Sequence, residues 1–304
     1  MRTSPQHTDD RSDYAASLAI GARTVLSDLG ALTKIRLSAT VVLSAVLAYL
    51  IAAPTVIWAQ LTAVFFGGFA TTMAANVLNQ VIERDHDRLM TRTENRPLAA
   101  GRMSVTRAVL IAGLLSVGGT LTLGLLHPLA ALLGMIALLS YAFIYTPLKR
   151  ISVAAVFVGT VPGAIPALIG AVAAEGELTP VGWSLFVIQV LWQIPHFWAI
   201  GWLGFDDYQR AGFKLLPETD TGERDPGTGL QSMCYGLLLA ALVWWPYCLG
   251  AFGVTATVLS CVIGLGYAYF GYRLYVRRDR TSALRLMFYS LAYLPVVFAL
   301  GWLL

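Results

Sequence analysis

The sequence contains little charge and few cysteines. Only 12% of its 304 residues are Asp, Glu, Lys or Arg, about half the fraction that is usual in a soluble protein. The three cysteines form no CxxC or Cys/His pattern, so neither a zinc site nor a redox motif is predicted. The first 30 residues lack a basic segment followed by an apolar run, and their acidic residues argue against a transit peptide. We therefore expect no cleavable signal peptide and no mitochondrial targeting.

Hydrophobic residues, in contrast, make up 57% of the chain. Apolar runs of about 20 residues, the length of a helix that crosses a bilayer, recur along almost the whole sequence. They predict an all-α, polytopic membrane protein with nine spans. The predicted spans are 37–53, 61–82, 106–126, 128–146, 153–174, 181–203, 232–251, 254–273 and 285–304.

The basic residues lie on one side of this predicted topology. If the N-terminus is cytoplasmic, all 21 Lys and Arg residues fall in the inner segments. This bias predicts that the N-terminus is inside, the C-terminus is outside and the active site faces the cytoplasm. The first span acts as the insertion signal, which suits a plasma membrane. Anionic lipid headgroups account for the net charge of +4, so no nucleic-acid partner is expected. We expect residues 1–30 to be a polar, disordered tail and residues 31–304 to be a single transmembrane domain.

A dense group of charges follows the second predicted span. Asn79, Glu83 and Asp87 are four residues apart, which places them within roughly 80° of one another on a helix. Their oxygens suit a hard cation such as Mg²⁺, whose remaining positions substrate phosphate oxygens can fill. Arg92 and Arg96 follow and could hold the same phosphate. The alternative is a solvated helix end with local ion pairs.

Two other inner segments repeat this chemistry. Asp207 follows the sixth span, with Lys214 within two turns of it. Two acidic clusters that face the same leaflet could hold two metal ions on one diphosphate. Lys149 and Arg150 lie in the turn after the fourth span, where they are either a third phosphate contact or a topology signal.

The sixth span contains polar residues that need partners inside a membrane. Gln189, Gln193 and His196 share a helix face, with Trp192 beside them. Pro195 removes a backbone hydrogen bond and can kink the helix toward a cavity. This face is either a packing cluster or the wall of a ligand site.

At these residues the chain resembles the UbiA-type intramembrane prenyltransferases, and most closely the branch that farnesylates haem. The stretches that carry the resemblance are 76–87, 90–98, 145–150, 158–166, 192–197 and 207–217, in the order found in the family. One departure concerns residues 202–206, where a basic and aromatic stretch is expected and the sequence reads Trp-Leu-Gly-Phe-Asp. This departure puts the second metal motif in doubt.

The resemblance implies nine helices around a central cavity, farnesyl diphosphate held through Mg²⁺, and haem B as the acceptor that becomes haem O. The residues it implies for catalysis are Asn79, Glu83, Asp87, Lys149, Arg150 and Asp207, of which Asn79, Glu83, Asp87 and Asp207 would bind the metal. Those implied for diphosphate binding are Arg92, Arg96, Lys149, Arg150 and Lys214. Those implied for substrate binding are Tyr145, Trp192, Gln193 and His196, with His196 orienting or ligating the porphyrin.

The predicted partners are the lipid bilayer and, among proteins, haem A synthase or terminal oxidase assembly factors. Two alternative functions stay open at this point. A related enzyme could prenylate a quinone precursor instead of haem. A transporter is the other alternative, although transporters usually carry paired broken helices at mid-membrane, whereas the acidic residues here cluster at one surface.

Overall fold

The computed structural model describes residues 25–304, and this part of the chain contains nine helices long and apolar enough to cross a membrane. We number them α1 to α9 in chain order. Their bounds are Ile35–Ala52, Trp58–Asp87, Val105–Leu126, Pro128–Leu148, Ala155–Glu175, Pro180–Leu203, Gly227–Cys248, Val254–Arg277 and Arg280–Leu303. The nine predicted spans and the all-α class are confirmed, and the protein is a multi-pass membrane protein.

The predicted polar tail lies mostly outside the described residues, which begin at residue 25. Residues 25–33 form a short helix, and Lys34 then separates this helix from α1. Lys34 has a φ of 49°, in the left-handed region that non-glycine residues rarely adopt. Asp28 on the short helix pairs with Arg102 at 2.8 Å. The segment before α1 is therefore attached to the loop that follows α2.

α5 is the central helix of the bundle. Of its most apolar 18-residue stretch, 78% is buried inside the protein, the largest share among the nine helices. Gly170 lies against the backbone of Ala45 and Tyr49 in α1, where a Cβ atom would collide with the carbonyl oxygen of Ala45. Such small residues allow helices to approach closely within a membrane. The glycine of α5 thus sets how near α1 can pack.

α2 is 30 residues long and continues to Asp87, five residues beyond the predicted end of its span. The whole acidic motif is therefore helical. Its register agrees with the sequence: Asn79, Glu83 and Asp87 are buried. Arg84 and Asp85, on the other faces, are exposed.

Six helices, α1, α2, α4, α5, α6 and α9, enclose an apolar cavity. Within α4 the helix becomes π-helical over Ser140–Tyr145, and both Tyr141 and Tyr145 line the cavity. π-helical turns occur frequently at functional sites. The ring of Tyr145 lies against Gly159 of α5, where a side chain would displace it. The glycine therefore makes room for an aromatic wall.

Candidate active site

The acidic face of α2 is buried at the predicted inner end of the bundle. Asn79, Glu83 and Asp87 are only 1%, 5% and 1% exposed. Buried charges of this kind must be paired or must coordinate a metal ion, because an isolated charge is costly in an apolar environment.

Each of the three side chains contacts a cation from a different part of the chain. Lys34 Nζ donates a hydrogen bond to Asn79 Oδ1 at 3.1 Å. Lys149, just beyond α4, forms an ion pair with Glu83. Arg96, in the loop after α2, donates from Nη1 to both carboxylate oxygens of Asp87 at 2.8 Å. We call the set of Lys34, Asn79, Glu83, Asp87, Arg96 and Lys149 the charged cluster.

The charged cluster adjoins the apolar cavity. Asn79 Nδ2 donates to Thr146 Oγ1 at 3.1 Å, and Thr146 Oγ1 donates to the carbonyl oxygen of Tyr141 at 2.8 Å. Lys149 Nζ lies 4.8 Å from the ring centroid of Tyr145, which lines the cavity. Tyr145 therefore stands at the boundary between the charged cluster and the cavity.

Cations exceed carboxylates in the charged cluster. Lys34, Arg96 and Lys149 face Glu83 and Asp87, and Asn79 is neutral. Burial, together with the nearby charges of Arg96 and Lys149, lowers the pKa of Lys34 from 10.5 to about 7. An anionic ligand bound beside these cations would favour the charged form of Lys34, because a nearby opposite charge stabilises the charged form of an ionisable group.

The donor set fits a divalent cation bound together with an anion. Asn79, Glu83 and Asp87 offer hard oxygens on one face, as Mg²⁺ prefers. Glu83 Oε1 is buried, and it is the oxygen that pairs with Lys149. Among residues 25–304, no three Asp, Glu, His or Cys side chains converge on one point. A metal ion bound here would therefore need further oxygens from a ligand or from water.

The second acidic motif lies on a short helix, Phe205–Arg210, after α6. Asp207 pairs with Arg210, and Asp206 pairs with Arg224 at 2.9 Å. Arg210 also donates to Thr91 Oγ1 at 3.3 Å. The structure does not bring Asp207 into contact with the three α2 side chains, so the two acidic motifs do not form one ligand set here.

The remaining predicted phosphate contacts form the rim of the charged cluster. Arg92 donates from Nη2 to the hydroxyl of Tyr208 at 2.9 Å. Arg150 Nη1 lies 2.8 Å from His86 Nε2, and His86 Nδ1 lies 3.0 Å from the carbonyl oxygen of Ala211. Because Arg150 can only donate, Nε2 must accept and Nδ1 must carry the proton. These contacts attach the loop after α6 to α2 and to the loop that follows α2, and they attach α2 to the segment after α4.

Lys214 reaches the charged cluster through its backbone. Its N–H donates to the carbonyl oxygen of Lys149 at 2.6 Å, while its side chain is exposed. Phe213, next to it, places its ring centroid 5.6 Å from Lys149 Nζ. The loop thus holds Lys149 from outside the bundle.

The polar face of α6 lines the cavity. Gln193 Nε2 donates to the carbonyl oxygen of Thr160, and Gln189 Nε2 donates to that of Gly163, so both glutamines join α6 to α5. The rings of Trp192 and His196 stack with centroids 5.3 Å apart. This face is therefore both a packing contact and part of the cavity wall: the two glutamines hold α6 against α5, and the whole face borders the cavity.

Sequence reasoning missed several residues of this site. Lys34 stands directly before the first span, a position that suggested only a topology signal. His86, Thr146 and Tyr208 lie within the stretches that carry the family resemblance, but no role was predicted for them.

Comparison with known proteins assigns the family. The sequence model of the UbiA prenyltransferase family matches residues 41–292, most of the chain. The chain belongs to the UbiA prenyltransferase family. The resemblance stated from the sequence is confirmed, and membership of this family makes the protein a prenyltransferase rather than a transporter.

Within the family, the chain is similar to proteins named protoheme IX farnesyltransferase. The protein of that name from Christiangramia forsetii is 42% identical over 284 residues, covering 90% of this chain and 92% of the relative. The one from Cytophaga hutchinsonii is 42% identical over 271 residues, covering 88% and 93%.

Solved structures of family members share the fold. A digeranylgeranylglyceryl phosphate synthase superposes with a TM-score of 0.74 at 18% identity, covering 91% of this chain and 97% of that one. A UbiA homologue from Archaeoglobus fulgidus, bound to GPP and Mg²⁺, gives 0.63 at 14% identity, covering 90% and 99%. At these identities the likeness supports the shared fold.

Proposed function

We propose that this protein transfers the farnesyl group of farnesyl diphosphate to a vinyl group of haem B, which is also hydrated, giving haem O and diphosphate. The names of relatives that match about nine tenths of the chain support this reaction. One structural observation carries the proposal: a buried cluster with an excess of cations adjoins an apolar cavity lined by a histidine.

Asn79, Glu83 and Asp87 are the proposed ligands of Mg²⁺. The family member that binds GPP together with Mg²⁺ supports a metal here. When bound, the ion would offset the negative charge of the diphosphate. A diphosphate would draw Lys34, Lys149 and Arg96 toward its oxygens and so release the α2 side chains to the metal.

The cations of the charged cluster stabilise diphosphate as it leaves the farnesyl group. An allylic diphosphate ionises when the negative charge that builds up on its leaving group is stabilised by groups already in place. Lys34, Arg96 and Lys149 already surround the α2 face in a largely buried site, where such charges act strongly. Arg92, Arg150 and Lys214 stand at the rim, where they would attract the diphosphate and hold the surrounding loops.

Tyr145 marks the place of prenyl transfer. Its ring lies between Lys149 and the cavity, so a diphosphate on Lys149 would place the allylic carbons over an aromatic face. Aromatic faces stabilise nearby cations. The apolar cavity would hold the farnesyl chain and the porphyrin and keep water from the allylic cation until the acceptor has reacted. Trp192, Gln193 and His196 would form its acceptor-facing wall.

The second motif has a conditional role. Asp207 is paired with Arg210, and it would bind a second metal ion only after leaving that pair. A diphosphate that attracts Arg210 would favour this exchange.

The proposal extends to the protein's place in the cell. The charge bias supports a plasma-membrane enzyme with its N-terminus inside, its C-terminus outside and the charged cluster facing the cytoplasm. We propose that residues 31–304 form one catalytic domain. The membrane-bound product would pass to haem A synthase or to terminal oxidase assembly factors, and no nucleic acid takes part.

The test is a reaction with purified components. The detergent-solubilised protein is incubated with haem B, farnesyl diphosphate and Mg²⁺, with and without EDTA, and the extracted haem is analysed by mass spectrometry. We expect a Mg²⁺-dependent mass gain of one farnesyl group plus one water. Unchanged haem from folded protein, with prenylation of a hydroxybenzoate or naphthoate instead, would overturn the haem assignment.

A further inference from the structure

His196 is held by a residue from another helix. Its Nδ1 lies 2.7 Å from Ser290 Oγ on α9. The indole of Trp192 stacks on the imidazole, and Trp192 Nε1 donates to the backbone carbonyl oxygen of Ser290 at 2.6 Å. Tyr267 on α8 donates to the carbonyl oxygen of Trp192 at 3.0 Å. Three helices therefore fix the orientation of this imidazole ring.

The hydrogen bonds of Ser290 decide which ring nitrogen carries the proton. Ser290 Oγ donates its hydrogen to the carbonyl oxygen of Met287, 2.6 Å away, as serines within helices commonly do. A hydroxyl has one hydrogen to donate and two lone pairs to accept with. Ser290 can therefore only accept from His196, and His196 Nδ1 is the protonated nitrogen.

His196 Nε2 is then left with its lone pair free. Among the described residues it has no hydrogen-bond partner, and His196 borders the cavity together with Phe197 and Tyr145. A neutral imidazole nitrogen with a free lone pair is a common ligand of iron. Metal-binding histidines usually donate their other ring N–H to a fixed acceptor, which sets the tautomer and strengthens the ligand.

We propose that Ser290 is a positioning residue that holds His196 as the Nδ1-protonated imidazole, so that Nε2 binds the iron of the haem acceptor in the cavity. This inference rests on the proposed function, because it takes haem as the ligand. Iron bound at this fixed nitrogen sets the tilt and distance of the macrocycle. It thereby sets how close the edge of the porphyrin lies to the allylic carbons beside Tyr145.

The structure offers a clean substitution. Ser290→Ala removes the acceptor for His196 but keeps the backbone carbonyl that Trp192 uses, so the packing of α6 on α9 is retained. Ser260→Ala is the matched control, since Ser260 is a fully buried serine on α8 whose hydroxyl has no partner among the described residues. His196→Gly, with and without added imidazole, tests the ligand itself.

Two readouts are measured on purified protein: the Kd of haem B by absorbance titration, and the iron–histidine stretching band of the reduced complex by resonance Raman spectroscopy. We expect Ser290→Ala to weaken haem binding about 10- to 100-fold and to shift the band to lower frequency. His196→Gly should lose the band and regain it with imidazole. Ser260→Ala should match the wild type.

Three outcomes would overturn the inference. A wild-type complex that binds and farnesylates haem without an iron–histidine band would show that His196 is not the ligand. Wild-type affinity and band frequency in Ser290→Ala would show that Ser290 does not position it. An equal loss of affinity in Ser260→Ala would point to general damage. A wild-type protein that neither binds nor farnesylates haem would refute the proposed function instead.

Discussion

Two substitutions on α2 compare the role of a buried carboxylate with that of an exposed one: Glu83→Gln changes the proposed metal ligand, and Asp85→Asn changes a solvated acid. The two side chains are two residues apart on α2 and therefore point in different directions. Glu83 is 5% exposed and belongs to the charged cluster. The Asp85 side chain is 66% exposed and, among residues 25–304, pairs only with Arg84 and Arg88, each at 3.5 Å. Both substitutions remove one negative charge and keep the shape of the side chain.

The expected losses differ by orders of magnitude. Removing one group that is positioned to stabilise charge in a transition state costs about 10²- to 10³-fold in kcat, or about 2.7–4 kcal/mol. We expect a loss of this size for Glu83→Gln, because a neutral amide binds Mg²⁺ more weakly than a carboxylate. An exposed ion pair contributes about 0–1 kcal/mol, so Asp85→Asn should change turnover by a few-fold at most.

The assay is farnesylation of haem B at the Mg²⁺ concentration that just saturates the wild type, with the product quantified by mass spectrometry. Lys149 loses its carboxylate partner in Glu83→Gln but keeps its contacts with two aromatic rings. Size-exclusion profiles and thermal melting in the same detergent establish that each variant is folded. A Glu83→Gln protein that turns over within threefold of the wild type would refute the role of the α2 face. An equal loss of turnover in Asp85→Asn would show that the buried and exposed faces of α2 do not differ in their role.

Three further predictions follow from individual contacts. Lys34→Met should weaken binding of farnesyl diphosphate about tenfold or more, as expected for a hydrogen bond to a charged group. The same change at the exposed Arg36 should leave the Kd unchanged. Isothermal titration calorimetry compares the two Kd values, and equal values would contradict the role of Lys34. Arg96→Met leaves the carboxylate of Asp87 buried without its partner and should reduce the free energy of unfolding by about 3–5 kcal/mol. Adding Asp87→Asn should recover stability in a thermal melt without restoring turnover, and recovered turnover would contradict the assigned role. Finally, hydrogen bonds from the first turn of α9 hold the pKa of Asp279 below its usual 3.8. Asp279 therefore stabilises that turn above pH 3.8, and this stabilisation is lost as the pH falls below 3.8. Hydrogen exchange, corrected for intrinsic rates, should show the turn opening in acid, and unchanged protection would contradict this.

The sequence predicted the parts of this protein that depend on local patterns. The nine spans follow from runs of apolar residues, and the structure confirms them. The buried face of Asn79, Glu83 and Asp87 follows from helical periodicity, which requires only that α2 continue past its apolar stretch. Family motifs led to a prenyltransferase, and the comparisons confirm that family.

What the sequence left open depends on contacts between distant segments. Lys34 meets Asn79 across 45 positions, and Ser290 meets His196 across 94. No spacing rule relates such residues, because helix packing alone brings them together. For Asp207 the local pattern was misleading. The segment around it resembles the first motif in composition, but Asp207 pairs with Arg210 on the same short helix.

The most direct test is a structure of the protein with haem B, Mg²⁺ and an unreactive thio-analogue of farnesyl diphosphate. We expect the diphosphate between the α2 face and Lys34, Arg96 and Lys149, with the prenyl chain passing Tyr145 into the cavity. We expect the haem iron at His196 Nε2. A diphosphate bound away from the charged cluster, or a haem bound outside the cavity, would contradict this expectation.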